Sequence, residues 1–130
     1  MTRLRFFIVL IAGLLFADAA LYAHHGRGTR YDMDTVIEIQ GVVQELVWRN
    51  PHVAILIDVP DESGDLVTWV IEHSNVSTLA RQGYFRNTLK PGDEVTAFIN
   101  PTSAGDAAGL CQRIILEDGS VIFVRGAGVD

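Results

Sequence analysis

Four histidines, His24, His25, His52 and His73, are the side chains of this 130-residue sequence best suited to chemistry. Imidazole nitrogen is a good donor to copper, zinc and nickel. The first two follow a stretch that reads as an export signal. Arg3 and Arg5 precede an apolar run from Phe6 to Phe16, and a small-residue segment then closes at Ala23. A basic start, a short apolar middle and a small-residue exit mark a secretory signal peptide. Cleavage after Ala23 makes His24 the new amino terminus, where an α-amine and an imidazole on one residue can chelate one ion. His25, His52, Asp32 or Asp34 would complete the shell. Glu72, which breaks the apolar character at the end of a strand beside His73, is a further candidate. The expected metal ligands are therefore His24, His25, His52 and Glu72, and the expected ion is copper or zinc.

Each of these residues has a plainer reading. Adjacent histidines converge poorly on one ion in regular backbone, and a solvated His-His leader binds metal without specificity. Asn50-Pro51 initiates a tight turn, in which His52 would simply hydrogen-bond the strand end. Glu72 would cap a solvated strand end. The cleavage point also has an alternative, since Ala17-Asp18-Ala19 fits the small-x-small rule and would place the cut after Ala19. The apolar run is about half the ~20 residues needed to span a bilayer, so no stable membrane anchor is expected after cleavage.

Composition removes several function classes. Of 10 basic and 16 acidic residues, Arg3, Arg5 and Asp18 leave with the signal, so 8 stand against 15, a net charge of −7. An acidic domain without a lysine or arginine cluster repels phosphate backbones, and nucleic acid is not an expected partner. The sequence holds no nucleophile elbow, phosphate loop, Cys-x-x-Cys or His-Glu-x-x-His pattern, so it is not expected to be an enzyme. Cys111, the single cysteine, lies in an apolar run and reads as a buried thiol. The fold must hold by its core, without a disulfide.

The elements that would position these residues are mostly strands. Thr35 to Trp48 is rich in β-branched residues, and its apolar phase slips after Gly41, which predicts a bulged, strongly coiled first strand. Val53 to Val59 alternates, Asp61 to Asp65 forms a polar turn, and Leu66 to Glu72 returns as the third strand with Val67, Trp69 and Ile71 on one face. The period then changes to helical from about Asn75 to Gln82, with Ser74 as the expected N-cap and Gly83 as the C-cap. Lys90-Pro91-Gly92-Asp93 launches a fourth strand, Val95 to Asn100. Leu110 to Leu116 is the fifth, with a short return over Val121 to Val124. This order predicts an all-β fold with one short helix, a small OB-fold-like five-stranded barrel. The expected layout is signal peptide 1–23, flexible leader 24–34, barrel 35–125 and frayed tail 126–130. Trp48, Trp69, Tyr84 and Phe85 could form a stacking surface, although Trp48 and Trp69 fit the core pattern better, and Trp69 is expected to be buried.

A run of short motifs spans this layout: Ala23-His24-His25, Tyr31-Asp32, Gly41-Val42-Val43, Trp48-Arg49-Asn50-Pro51-His52, Trp69 with Glu72, Ser74, Arg81-Gln82-Gly83-Tyr84 and Leu89-Lys90-Pro91-Gly92-Asp93. In this order and spacing the chain resembles a family of small exported bacterial proteins, domain of unknown function 6152, with an AHHS-like mature start and NPH and KPGD motifs. The resemblance implies export and covers nearly all of the mature chain. It carries no activity. Gly26 stands where the family has serine, and His73 where it usually has glycine, so the resemblance supports His24, His25, His52 and Glu72 but not His73. The function expected is that of a small exported, periplasmic or secreted, binding protein. The alternatives are an interaction module that presents a barrel face or sheet edge to a protein or small organic ligand, and an accessory subunit of an exported redox enzyme.

Overall fold

The computed structural model describes residues 29–126. The expected signal peptide, His24 and His25, and residues 127–130 of the expected tail lie outside the described residues. The elements run β1 (Ile37–Val47), β2 (Ala54–Pro60), β3 (Leu66–Glu72), α1 (Val76–Arg81), β4 (Glu94–Pro101), β5 (Ala108–Leu116) and β6 (Val121–Val124). Strands pair in the order β3-β2-β1-β4-β5-β6, and a parallel pairing of β3 with β5 closes the first five into a barrel. This is the five-stranded, OB-like closure expected, with the helix between the third and fourth strands. β6 pairs only with β5, outside the ring.

The strand pattern carries the core. Val43, Ile55, Ile57, Ile71, Ile99 and Ile114 project inward and are buried, each contributing about 1.5–3 kcal/mol through loss of water contact. The phase slip after Gly41 is a bulge: Val43 pairs with Ile57 and Glu45 with Leu56, which leaves Gln44 as the extra residue. Gly41 itself lies where strands crowd, since a Cβ there would collide with the Asp58 carbonyl oxygen. β1 thus bends enough to pair with β2 on one side and β4 on the other.

The helix start differs from expectation. Asn75, not Ser74, is the N-cap, and its side chain accepts from the Thr78 N–H at 2.9 Å. Ser74 is engaged elsewhere: its carbonyl accepts from the Val53 N–H at 3.1 Å, which extends the β2–β3 ladder and holds the residue extended. At the other end Gly83 adopts φ +78°. The N–H groups of Gly83 and Tyr84 return to Ala80 and Leu79, the pattern of a Schellman motif.

The aromatic expectation is also revised. Trp69 is only half-buried, because among the described residues the N-terminal half of β3 has a strand on one side alone. Trp48 is half-buried too and stacks on the buried Tyr84 ring, with centroids 6.1 Å apart. Phe85 is exposed. Among the described residues no helix is long and apolar enough to cross a membrane.

Candidate functional site

Ladder register brings the site together. In the antiparallel β2–β3 pair, Ala54 lies opposite Glu72. His52, two residues before Ala54, leans toward the same face, so its ring is diagonal to the Glu72 carboxylate. The turn that delivers it contains the Asn50–Pro51 peptide, which is cis. Asn50 also ties this turn to α1, accepting from the Val76 N–H at 3.2 Å. The outcome is a contact of 3.2 Å between His52 Nδ1 and Glu72 Oε1.

A second group reaches the same carboxylate from the far side of the ring. Tyr31 forms an isolated bridge with Thr102, and the next residue, Asp32, donates its N–H to the Pro101 carbonyl at 2.9 Å. Asn100, buried at the end of β4, donates to the Thr35 carbonyl at 2.6 Å. These bonds lay the segment before β1 along the end of β4. They carry the Tyr31 hydroxyl to Glu72 Oε2, to which it donates at 2.8 Å. Tyr31 is 2% exposed, so the bond is sheltered.

Glu72 therefore bridges a phenol and an imidazole, one on each oxygen. Nδ1 is the ring nitrogen that faces the Glu72 carboxylate, which can only accept, and Nε2 is the other. The His52 side chain is 41% exposed and that of Glu72 17%. The arrangement is a partly exposed histidine with one nitrogen against a carboxylate, the pairing that orients histidine in metal sites.

Of the four expected ligands, the structure brings His52 and Glu72 together, while His24 and His25 lie outside the described residues. Asp32 and Asp34 do not join them. The Asp32 carboxyl turns back on its own loop, and its bonds to Thr35 and to the Asp34 N–H hold it below the usual range. Among the described residues no three histidine, cysteine, aspartate or glutamate side chains gather around a common point. Tyr31 was not among the candidates drawn from the residues themselves. Its signal was a lone aromatic in a polar stretch before the first strand.

The fourth histidine has the opposite surroundings. His73 is fully buried, and neither ring nitrogen has a hydrogen-bond partner. The Phe123 ring meets it edge-on at 4.4 Å and the Tyr84 ring lies 5.3 Å away. Burial, with a smaller push from Arg125, lowers its pKa to about 3, so it is neutral at physiological pH. Burial likewise raises the Tyr84 hydroxyl and the Cys111 thiol well above their ordinary values. Cys111 is free and buried, as its apolar run implied.

No curated relative matches the chain. Residues 13–112 match the family of unknown function DUF6152, and the protein belongs to that family.

Proposed function

We propose that the protein is a small exported binding protein and that the His52–Glu72–Tyr31 cluster is the centre of its site. The ligand in this reading is a copper or zinc ion held by His52 Nε2. His24 and His25 supply further nitrogens once the signal is removed after Ala23. The single observation that carries the reading is the Glu72 carboxylate set between the Tyr31 hydroxyl and His52 Nδ1, with the His52 side chain 41% exposed. Glu72 then acts on the ion through His52 rather than as a direct ligand. Imidazole donors favour these borderline ions over magnesium or calcium, which prefer oxygen.

Titration of the processed protein with copper(II) and zinc(II) tests this. Binding is expected at one-to-one stoichiometry, falling as pH drops through the histidine range near ~6.5, because protons compete for the same nitrogens. His52→Ala should weaken it more than ~10-fold, the effect of a lost orienting contact alone. Acetylation of the amino terminus should damage binding comparably while leaving the fold intact. Normal binding by His52→Ala would reduce the site to the His-His leader and sink the proposal.

A further inference from the structure

The barrel closes unevenly. β5 pairs with β3 only over Val70–Glu72, so on that side Leu66 to Trp69 has no neighbouring strand among the described residues. Backbone phase determines what this edge offers. Val70 donates its N–H across to the Ala107 carbonyl. Thr68 and Leu66 have the same parity in the strand and turn their N–H and C=O groups the same way, outward. A row of unpaired backbone donors and acceptors is a template for an added strand.

Natural edges are usually blunted by lysine, proline, a bulge or a very short strand. β6, the other edge of this sheet, has three such devices. It spans four residues, its pairing with β5 is interrupted by a register shift, and Arg125 follows it directly. β3 has none. Its ladder with β2 runs through seven pairs from Pro60–Leu66 to Ala54–Glu72 without a shift. Its own sequence holds no proline or lysine.

Leu66 and Val70 on this edge are apolar, and the charge of the hairpin that carries it has one sign. Leu66 is 68% exposed and Val70 44%, on either side of Thr68. The Thr68 hydroxyl donates to Asp58 at 2.6 Å, and the Gln44 amide reaches the other oxygen of the same carboxylate, so the polar groups between the two apolar residues are already engaged. From Ala54 to Glu72 the hairpin carries Asp58, Asp61, Glu62, Asp65 and Glu72 and no lysine or arginine.

We propose that the free edge of β3 at Leu66–Trp69 is a docking site for an extended segment of a partner polypeptide that is apolar at alternate positions and flanked by basic residues. Main-chain bonds to Leu66 and Thr68 would supply the pairing, Leu66 and Val70 the apolar contact, and Asp61, Glu62 and Asp65 the attraction for the basic flanks. A second copy of this chain is disfavoured as occupant, because it would bring the same acidic hairpin against itself. The site lies at the opposite end of β3 from Glu72, so its fate is independent of metal binding.

The test uses the processed, isotope-labelled protein and a synthetic peptide of alternating valine and threonine with lysines at both ends. On titration the Leu66 and Thr68 amides should shift, and their hydrogen exchange should slow by about tenfold or more. A glutamate-ended version should bind about tenfold more weakly at low salt, with the difference closing at high salt. Leu66→Lys should abolish binding, and Asp65→Lys should weaken the lysine peptide selectively. Both positions are exposed and both variants should fold, whereas Val121→Lys on β6 should change nothing. Shifts that map to β6, binding indifferent to Leu66→Lys, or no binding at millimolar peptide would each overturn the proposal. So would concentration-dependent dimerisation that protects the same amides without peptide, since the occupant would then be a second copy.

Discussion

His52 and His73 sit at one end of the same pair of strands, and they are treated in opposite ways. His52 is half in water, with its Nδ1 3.2 Å from a carboxylate. His73 donates its backbone N–H to the Val53 carbonyl near that turn at 2.7 Å, yet its ring lies fully inside between Phe123 and Tyr84. The difference comes from strand parity alone. Adjacent positions on a β-ladder point to opposite faces, so one ring meets solvent and Glu72, and the other meets aromatic carbon. The lesson is that residue type sets what a histidine can do, while the face of the sheet sets what it does.

The largest expected effect separates the dry histidine from the wet one by pH. The folded state holds His73 neutral down to about pH 3, while an unfolded chain protonates it near the ordinary value of 6.5. Below that ordinary value the unfolded state binds more protons, so stability is complete above it and falls as pH drops toward 3. The loss should reach on the order of 3 kcal/mol by pH 4. His73→Leu removes this linkage while leaving the carboxylates common to both proteins. Urea unfolding at pH 7 and pH 4 should therefore show the wild type losing that much more than the variant. Parallel pH curves would mean that the ring finds a proton partner in solution and that the contrast with His52 is smaller than drawn.

The two tyrosines sharpen the same comparison. Tyr31→Phe deletes a sheltered bond to a carboxylate and should cost about 1.5–3 kcal/mol, the usual range for hydrogen bonds to charged groups. Tyr84 is buried as well, but its hydroxyl has no partner. Tyr84→Phe should leave stability unchanged or raise it by up to about 1 kcal/mol, because a buried unsatisfied group is removed. Thermal unfolding of both variants decides the matter, and equal losses would remove the distinction between the two environments. The smallest effect is expected at the exposed ring itself. His52→Ala should change stability by less than about 1 kcal/mol, since surface ion pairs contribute little. A larger loss would make the His52–Glu72 pair part of the scaffold rather than a site placed upon it.

Much of this fold was legible in the residues. The bounds of β3 and β6 follow from alternation and turn residues, and the slip after Gly41 marked the bulge that lets β1 serve two partners. The helix cap was misplaced by one residue because Ser74 and Asn75 both have capping side chains. The Val53–Ser74 backbone bond, a contact between distant segments, ties Ser74 to the start of β2 just beyond the end of β3. Trp69 looked like a core residue by parity. Its exposure depends on where β5 stops pairing with β3, which no local pattern records.

The candidate site divides in the same way. The histidines, the turn at Asn50-Pro51 and the strand-ending Glu72 could be picked out by type and position, because metal chemistry, turn chemistry and a break in apolar pattern are local signals. The link from Tyr31 to Glu72 spans 41 residues and runs across the closure of the barrel. It exists because the chain before β1 is tied along β4 while β3 is brought round to meet β5. Sequence alone determined which residues could titrate, coordinate or pack, since those are properties of side chains and of short-range periodicity. Tertiary structure alone decided that Glu72 is shared between Tyr31 and His52, that His73 is dry, and that among the described residues the first half of β3 has a strand on one side only. Those outcomes depend on register and ring closure, where the free energy lies between segments far apart in the chain.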